Sequence, residues 1–150
     1  MARRFQRDSC RALQVQQIAS IVWVADLNVN DEMGEVRAFL VLWGHAFNAH
    51  DFEKLAAFYA LDALLYGTSS AKLYSGADEI RTYFRGTHSV RFEAWRSVRL
   101  GDNLILVVGN YLFTQSSTDQ VVTIPARFTL VLSHKDGLWQ ILHHHSSRTP

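Results

Sequence analysis

The sequence predicts a single α+β domain in which three helices precede a long antiparallel β-sheet that curls around them. Two observations carry this prediction. Between residues 31 and 84, apolar residues recur three and four positions apart, which is typical of amphipathic helices. After His88, apolar and polar residues alternate instead, and tight turns interrupt the alternation. A sheet curled over helices would leave an apolar pocket between the two layers.

The helices are predicted from apolar spacing and from capping residues. The first begins near Asp31, and its inner face carries Val36, Phe39, Leu40, Trp43 and Phe47. Asp51 is a good N-cap for a second helix, whose inner face reaches Tyr59. Ser75 and Asp78 match a capping box that opens a third helix.

Strands are expected in two parts of the chain. Residues 63–66 form a short strand that runs into a polar loop around Thr68. The first long strand follows His88, and its predicted apolar face carries Val90, Phe92, Ala94, Arg96, Val98 and Leu100. Tight turns then separate the four strands of an antiparallel meander that ends near Ser147.

Composition limits the classes of function. A chain of 150 residues with 48% hydrophobic content is globular, and it is too short for two ordinary domains. The net charge of +1 provides no field that would hold a phosphate backbone, so no nucleic-acid partner is expected. The single cysteine, Cys10, cannot form an internal disulfide, so no oxidising compartment is required and a cytoplasmic location is expected.

Residues 1–31 are assigned to an N-terminal extension and residues 32–150 to the domain. The extension has a basic start and then a modest apolar stretch over residues 18–27. Asp26 interrupts this stretch, which is too short to span a bilayer, so no membrane insertion is expected. Two interpretations stay open: an amphipathic helix lying on the domain or on a partner subunit, or a segment that directs export or organelle targeting.

Candidate chemistry concentrates at the C-terminal end of the last strand. Strand alternation puts His143 and His145 on one face and His144 on the other. A histidine two residues before a serine, as in His145 and Ser147 or His144 and Ser146, puts a base that titrates near neutral pH beside a hydroxyl. Such a pair suits proton transfer from water. The alternative is that these side chains only satisfy hydrogen bonds at a buried strand end.

No metal site is expected, because zinc requires three or four converging ligands and no third ligand is evident. His45 and His50 are five residues apart and lack the spacing that puts two imidazoles on one helix face. A buried Tyr83 would need a partner for its hydroxyl, and the Thr68 loop could provide one. Tyr111 is assigned to the core by default.

Four segments carry a family resemblance. In chain order they are Asp62-Ala-Leu-Leu-Tyr-Gly-Thr-Ser-Ser70, Ile80-Arg-Thr-Tyr-Phe84, Pro125-Ala-Arg-Phe-Thr129 and Trp139-Gln-Ile-Leu-His-His-His-Ser-Ser147. They resemble the NTF2-like group related to the association domain of calcium/calmodulin-dependent kinase II, and within it the iota-class carbonic anhydrases, whose domains end in a similar His-His-Ser-Ser segment. The resemblance covers about residues 31–150 and implies an NTF2-like cone, with three helices packed in a curved antiparallel sheet.

The resemblance also implies an activity. It is the reversible hydration of carbon dioxide to bicarbonate by a homodimer that needs no metal or other cofactor. The site residues that it implies are Thr68, Tyr83, His145 and Ser147, with His144 and Ser146 as the alternative register. In this mechanism a neutral imidazole takes the proton of the attacking water, while hydroxyls hold the developing bicarbonate oxygens.

Two other function classes stay open. A different enzyme on the same cone, such as a ketosteroid-isomerase-like or polyketide-cyclase-like protein, needs a carboxylate in the pocket, and the predicted inner helix faces contain none. A non-catalytic small-ligand-binding or oligomerisation domain is the other alternative. In that case Arg127, which is either solvent-facing or a buried cation, would bind the carboxylate of a ligand or substrate.

Overall fold

The computed structural model describes residues 32–150. In chain order these form α1 (Glu32–Asn48), α2 (Phe52–Ala56), β1 (Tyr59–Tyr66), β2 (Leu73–Ser75), α3 (Ala77–Tyr83), β3 (Ser89–Gly101), β4 (Leu104–Ser116), β5 (Val121–Lys135) and β6 (Leu138–Arg148). The two interpretations of residues 1–31 lie outside the described residues, and the cytoplasmic location with its alternative of export stays a prediction. Within residues 32–150 there is no helix with the length and apolar character needed to cross a membrane.

The strands form one curved sheet in the order β2-β1-β6-β5-β4-β3. Strands β3 to β6 make the predicted antiparallel meander. β1 then adds to β6 in parallel, and β2 pairs with β1 as a short antiparallel edge. The predicted α+β cone is therefore confirmed, with the difference that one strand pair makes the sheet mixed rather than wholly antiparallel.

Helix α1 packs against the inner face of the sheet, as its apolar spacing predicts. Its buried side chains are Val36, Phe39, Leu40, Trp43 and Ala46. Fully burying the larger of these side chains stabilises a fold by roughly 1.5–3 kcal/mol each, so this face accounts for much of what holds the helix in place. The aromatic ring of Trp43 lies in a cluster with Phe47, Phe84 and Phe92. One wall of the interior is therefore aromatic.

The capping predictions have mixed outcomes. Asp51 caps α2 as predicted, accepting a hydrogen bond from the Lys54 N–H at 3.0 Å. The predicted extent of this helix is wrong, because α2 ends at Ala56 and Tyr59 lies in β1. The capping box at Ser75 is wrong, because Gly76 is the N-cap of α3 and provides no side-chain cap. Gly76 has a φ of 84°, a conformation that favours glycine. The Ser75 N–H donates instead to the Glu79 carboxylate at 2.7 Å.

The predicted alternation along β3 fails beyond Phe92 because of a β-bulge. Phe92 pairs with Tyr111 and Trp95 pairs with Gly109, so β3 has one more residue than β4 across this interval. An extra residue exchanges the two faces of the strand beyond it. Trp95 therefore packs on the core. Two residues predicted to face inward are each 55% exposed, namely Val98 and Leu100.

Candidate functional site

The helices and the inner face of the sheet enclose a cavity of about 300 Å³. Its walls are apolar and mostly aromatic: Trp43, Phe47, Leu65, Phe84, Phe113 and Ile124. Its uncharged polar side chains include Thr68, Ser69, Tyr83, Tyr111, His144 and Ser146. The lining also includes longer polar side chains at exposed or half-buried positions, which mark the mouth of the cavity and include Arg85, His88 and Arg148.

β6 carries His144 and Ser146 on the face that meets this cavity. Their exposed fractions are 3% and 6%. Buried Ile141 lies three residues before His144, whereas simple alternation would bring His143 inward instead. The reason is a bulge at Leu142, because Val131 pairs with His143 while the next residue of β5 pairs with Ile141. The bulge therefore decides which histidine enters the cavity.

His145 and Ser147, the first pair implied by the resemblance, lie on the outer face of the sheet. His145 is exposed and its ring lies beside that of Tyr66, with the centroids 6.1 Å apart. Arg127 is exposed on the same face, opposite Ser147, so of its two alternatives the solvent-facing one holds. The structure thus brings Thr68 and Tyr83 together with the alternative pair, His144 and Ser146. The outer residues His145, Ser147 and Arg127 do not line the cavity.

A chain of hydrogen bonds passes through His144. The Tyr59 hydroxyl contacts Nδ1 of His144 at 2.8 Å, and the Tyr111 hydroxyl contacts Nε2 at 3.3 Å. Tyr111 donates to Ser146 Oγ at 2.5 Å, and Ser146 Oγ also bonds Thr68 Oγ1. This hydrogen-bond chain therefore runs from Tyr59, which does not line the cavity, to Thr68, which does.

Burial sets the ionisation of this hydrogen-bond chain. Desolvation lowers the pKa of His144 to about 3, and the charges that His143 and His145 would carry lower it further. Desolvation raises the pKa of Tyr59 well above its ordinary value, and it also raises the pKa of Tyr111. At neutral pH all three groups are therefore uncharged, with both phenols protonated and one imidazole nitrogen bare.

Trp43 contributes a buried donor next to this hydrogen-bond chain. Within the described residues, its indole Nε1 is buried without a hydrogen-bond partner. Its ring meets His144 edge-on, with the centroids 5.9 Å apart. The indole also lies near enough to the Tyr59 hydroxyl to offset part of the rise in the Tyr59 pKa, although the two groups do not reach hydrogen-bond geometry.

Tyr83 reaches the cavity from α3 and stands outside the hydrogen-bond chain. Its hydroxyl accepts from Ser69 Oγ at 3.2 Å and from the Ser69 N–H at 3.4 Å, which is the loop partner that the sequence predicts. A Cβ atom at Gly67 would overlap the Tyr83 ring. The glycine therefore lets the loop approach the tyrosine.

The mouth of the cavity is cationic. Arg85 and Arg148 line it, and no aspartate or glutamate is among the lining residues that the structure describes. Arg85 uses its Nε to donate to the Thr82 carbonyl at 2.9 Å, which leaves the outer nitrogens of its guanidinium available. Because guanidinium groups bind carboxylates through two parallel hydrogen bonds, this mouth suits an anionic group.

A metal ion has no evident ligand set here. Among the described residues, no group of three or more His, Cys, Asp or Glu side chains is arranged to hold one. Both ring nitrogens of His144 are engaged, one by Tyr59 and one by Tyr111. What the cavity offers a ligand is hydroxyl groups, apolar walls and the arginines at its mouth.

Helices enclosed by a curved sheet around an apolar cavity with a polar inner end define an NTF2-like α+β protein. The model of the family described as SnoaL-like domain matches residues 36–150, and the chain belongs to this family. No curated protein sequence matches this chain.

Solved structures agree with this assignment. A Xanthomonas campestris protein described as a calcium/calmodulin dependent protein kinase II association domain has 29% identity and a TM-score of 0.75, with 84% of this chain and 94% of that chain covered. The hub homology domain of Chlamydomonas reinhardtii has 22% identity and a TM-score of 0.68, covering 80% and 100%. A Novosphingobium aromaticivorans protein described as a scytalone dehydratase has 14% identity and a TM-score of 0.71, covering 79% and 85%.

The predicted likeness to association domains is therefore confirmed. The finer resemblance to iota-class carbonic anhydrases stays a prediction. Sequence reasoning also missed two residues of the site, because Tyr59 and Tyr111 were assigned only to packing. The requirement that a buried phenol find a hydrogen-bond partner was the available signal.

Proposed function

We propose that this chain binds a small, largely apolar molecule that carries an anionic group, and that it needs no chemical step to do so. The observation that supports this is the composition of the cavity: aromatic and aliphatic walls, hydroxyls of which those of Tyr111 and Ser146 are buried, and two arginines at exposed positions. A volume of about 300 Å³ falls at the lower end of the range for small-molecule sites. An aromatic or aliphatic carboxylic acid of modest size fits this description.

Electrostatics favour an anion over a cation in this cavity. Arg85 and Arg148 have no ion pair with a carboxylate among the described residues, so their charge is available to a ligand. His144 adds no positive charge, since burial holds its pKa at about 3. A carboxylate at the mouth would gain charge-assisted hydrogen bonds, and a cation there would meet two like charges.

Titration calorimetry with three matched aromatic probes tests the proposal. Benzoate, benzamide and benzamidine share a ring and differ mainly in the charge of the head group. We expect benzoate to bind about tenfold more tightly than benzamide, which corresponds to about 1.4 kcal/mol, and benzamidine not to bind. The double variant Arg85→Gln, Arg148→Gln should bring benzoate down to the level of benzamide.

The matched control is Arg127→Gln, which removes an exposed arginine from the outer face of the sheet. It should leave the affinity for benzoate unchanged. Equal affinity for all three probes, or benzoate binding that survives the double variant, would contradict the proposal. Loss of benzoate binding in Arg127→Gln alone would move the anion site to the outer face.

Hydration of carbon dioxide is the second candidate function. One observation favours it: Thr68, Tyr83, His144 and Ser146 line one cavity, as the alternative register of the resemblance implies. The ionisation of His144 counts against it, because a base with a pKa of about 3 accepts a proton poorly at neutral pH. Taking a proton from water would also require the hydrogen-bond chain to rearrange.

Stopped-flow measurements of carbon dioxide hydration, with and without a chelator, decide between the two candidates. If ligand binding is the function, the rate with protein equals the rate of the buffer. Hydration that is faster than buffer, resists the chelator and disappears in Ser146→Ala would replace ligand binding by the anhydrase reaction. Ser147→Ala is the control, since this serine lies on the outer face.

We further propose that the chain forms a homodimer through the outer face of the sheet. Large apolar side chains are partly exposed there, with 40% for Leu64, 42% for Tyr66 and 40% for Val108. Light scattering after gel filtration should give twice the 17.1 kDa mass of the chain. Tyr66→Lys should shift the dimer toward monomer, and a wild type that stays monomeric at high concentration would refute the proposal.

A further inference from the structure

The hydrogen-bond chain through His144 contains one more hydrogen than it can use. Its members are Tyr59, His144, Tyr111, Ser146 and Thr68, joined by four contacts with hydrogen-bond geometry. Thr68 also lies near the Tyr111 hydroxyl, without reaching that geometry. Each member carries one O–H or N–H hydrogen when the imidazole is neutral. Five hydrogens therefore meet four contacts, and one hydrogen is left at an end of the chain. Its position depends on the direction in which the bonds run.

The direction follows from Tyr111. Its single hydroxyl hydrogen goes to Ser146 Oγ, so its contact with Nε2 of His144 requires the imidazole to donate. His144 is then protonated at Nε2 and bare at Nδ1, where it accepts from the Tyr59 hydroxyl. The unused hydrogen therefore belongs to the Ser146 and Thr68 pair, which lines the cavity.

The opposite direction would put the unused hydrogen on Tyr59. That side chain is 2% exposed, and His144 is its hydrogen-bond partner among the described residues. Its other polar neighbour is the indole N–H of Trp43, which is a donor and cannot accept. A buried hydroxyl hydrogen without an acceptor carries the full cost of its lost hydration. The burial of Tyr59 therefore disfavours the opposite direction of the hydrogen bonds.

We propose that Tyr59, by holding His144 as its Nε2–H tautomer, leaves an unused hydroxyl hydrogen on the Ser146 and Thr68 pair, so that the cavity favours a ligand atom there that accepts a hydrogen bond over one that donates. This inference rests on the proposed ligand binding and sharpens it, because it specifies an acceptor oxygen, such as that of a carbonyl, beside Thr68 and Ser146, in addition to the anionic group beside the arginines. Tyr59 does not line the cavity. It acts through His144 as a positioning residue.

Nuclear magnetic resonance tests the tautomer without any ligand. Long-range proton–nitrogen correlation spectra distinguish a protonated ring nitrogen from a bare one, and His144→Gln identifies the signals of this residue. We expect His144 at neutral pH to carry its hydrogen on Nε2. In Tyr59→Phe nothing donates to Nδ1, so the second tautomer should become populated. A wild-type His144 protonated at Nδ1 would overturn the inference.

Binding of two neutral probes tests the consequence for selectivity, because the arginines at the mouth do not discriminate by net charge between them. Acetophenone offers only an acceptor and indole offers only a donor. We expect the wild type to bind acetophenone at least tenfold more tightly than indole, and Tyr59→Phe to reduce this ratio severalfold. Tyr74→Phe is the matched control: it removes a partly buried hydroxyl that bonds Ser70 away from the cavity, and should keep the ratio.

The two measurements separate the inference from the function on which it rests. A wild-type ratio near one, or a ratio that Tyr59→Phe leaves unchanged, overturns the inference. If acetophenone, indole and benzoate all fail to bind, ligand binding is refuted and the statement about the ligand atom fails with it. The tautomer of His144 then still decides the direction of the hydrogen-bond chain by itself.

Discussion

The two faces of β6 carry the same residue types in different surroundings. His144 and Ser146 face inward, are almost fully buried and join a hydrogen-bond chain that includes two tyrosines. His145 and Ser147 face outward, where the histidine is exposed beside Tyr66. Desolvation lowers the pKa of the inner histidine to about 3. Burial, rather than residue type, therefore determines which pair can serve as a structural and ligand-binding element.

A single bulge in β6 determines which of the two pairs faces the cavity. If Leu142 were not an extra residue in β6, alternation from the buried Ile141 would turn His143 and His145 inward. The sequence offers a histidine followed two residues later by a serine in both registers. The same segment could therefore supply such a pair to either face of the sheet, and the bulge at Leu142 determines which pair faces inward.

The largest difference between the two faces should appear in stability. His144→Ala removes a buried ring and leaves the Tyr59 hydroxyl without its partner, so we expect it to lower the free energy of unfolding by about 3 kcal/mol. In the Tyr66→Lys background, which removes the proposed dimer, His145→Ala should change it by less than about 0.5 kcal/mol, as is usual for exposed positions. Urea unfolding followed by circular dichroism measures both. Equal losses in the two variants would show that the outer histidine is also a structural element.

The next largest expected effect is a dependence of stability on pH that arises from the inner histidine, His144. An unfolded histidine has a pKa of about 6.5, whereas folding lowers the pKa of His144 to about 3. Below about pH 6.5 the unfolded chain binds a proton at this histidine that the folded chain excludes. The contribution of neutral His144 to the free energy of unfolding is therefore full above pH 6.5 and is lost as the pH falls toward 3. The free energy of unfolding should therefore fall with decreasing pH by up to about 1.4 kcal/mol per pH unit, or by about 2 kcal/mol between pH 7 and pH 5.

Urea midpoints at pH 7, 6 and 5 measure this slope, and His144→Gln should remove most of it. His143 leaves a smaller residual slope of the same sign, because desolvation also lowers its pKa. A slope that persists in His144→Gln would assign the acid sensitivity to groups outside the hydrogen-bond chain.

Elements with a strong local signal were predictable from the sequence. The apolar spacing of α1, the Asp51 cap and the four-strand meander are all present in the structure. The bulge in β3 and the parallel pairing of β1 with β6 were not predictable, because each depends on contacts between distant segments. β2 also lacked a signal, since three residues are too few to show alternation.

The site was predictable in part, for the same reason. Thr68 and Tyr83 reach the cavity as the family resemblance implies. The choice between His144 and His145 depended on the bulge at Leu142, which alternation cannot reveal. The role of Tyr59 depended on a contact across 85 residues of sequence, so a pattern read along the chain could only assign it to packing.

The two serines give the smallest and most direct comparison, since each variant removes a single oxygen. Ser146→Ala leaves the Tyr111 hydroxyl hydrogen without its acceptor in a buried position, so we expect a loss of about 1–2 kcal/mol in the free energy of unfolding. Ser147→Ala, measured in the Tyr66→Lys background that removes the proposed dimer, should cost less than about 0.5 kcal/mol. In the double variant Ser146→Ala, Tyr111→Phe both partners are gone, so the combined loss should be smaller than the sum of the two single losses. Additive losses would mean that Ser146 and Tyr111 act independently, and the hydrogen-bond chain would then not be a single coupled unit.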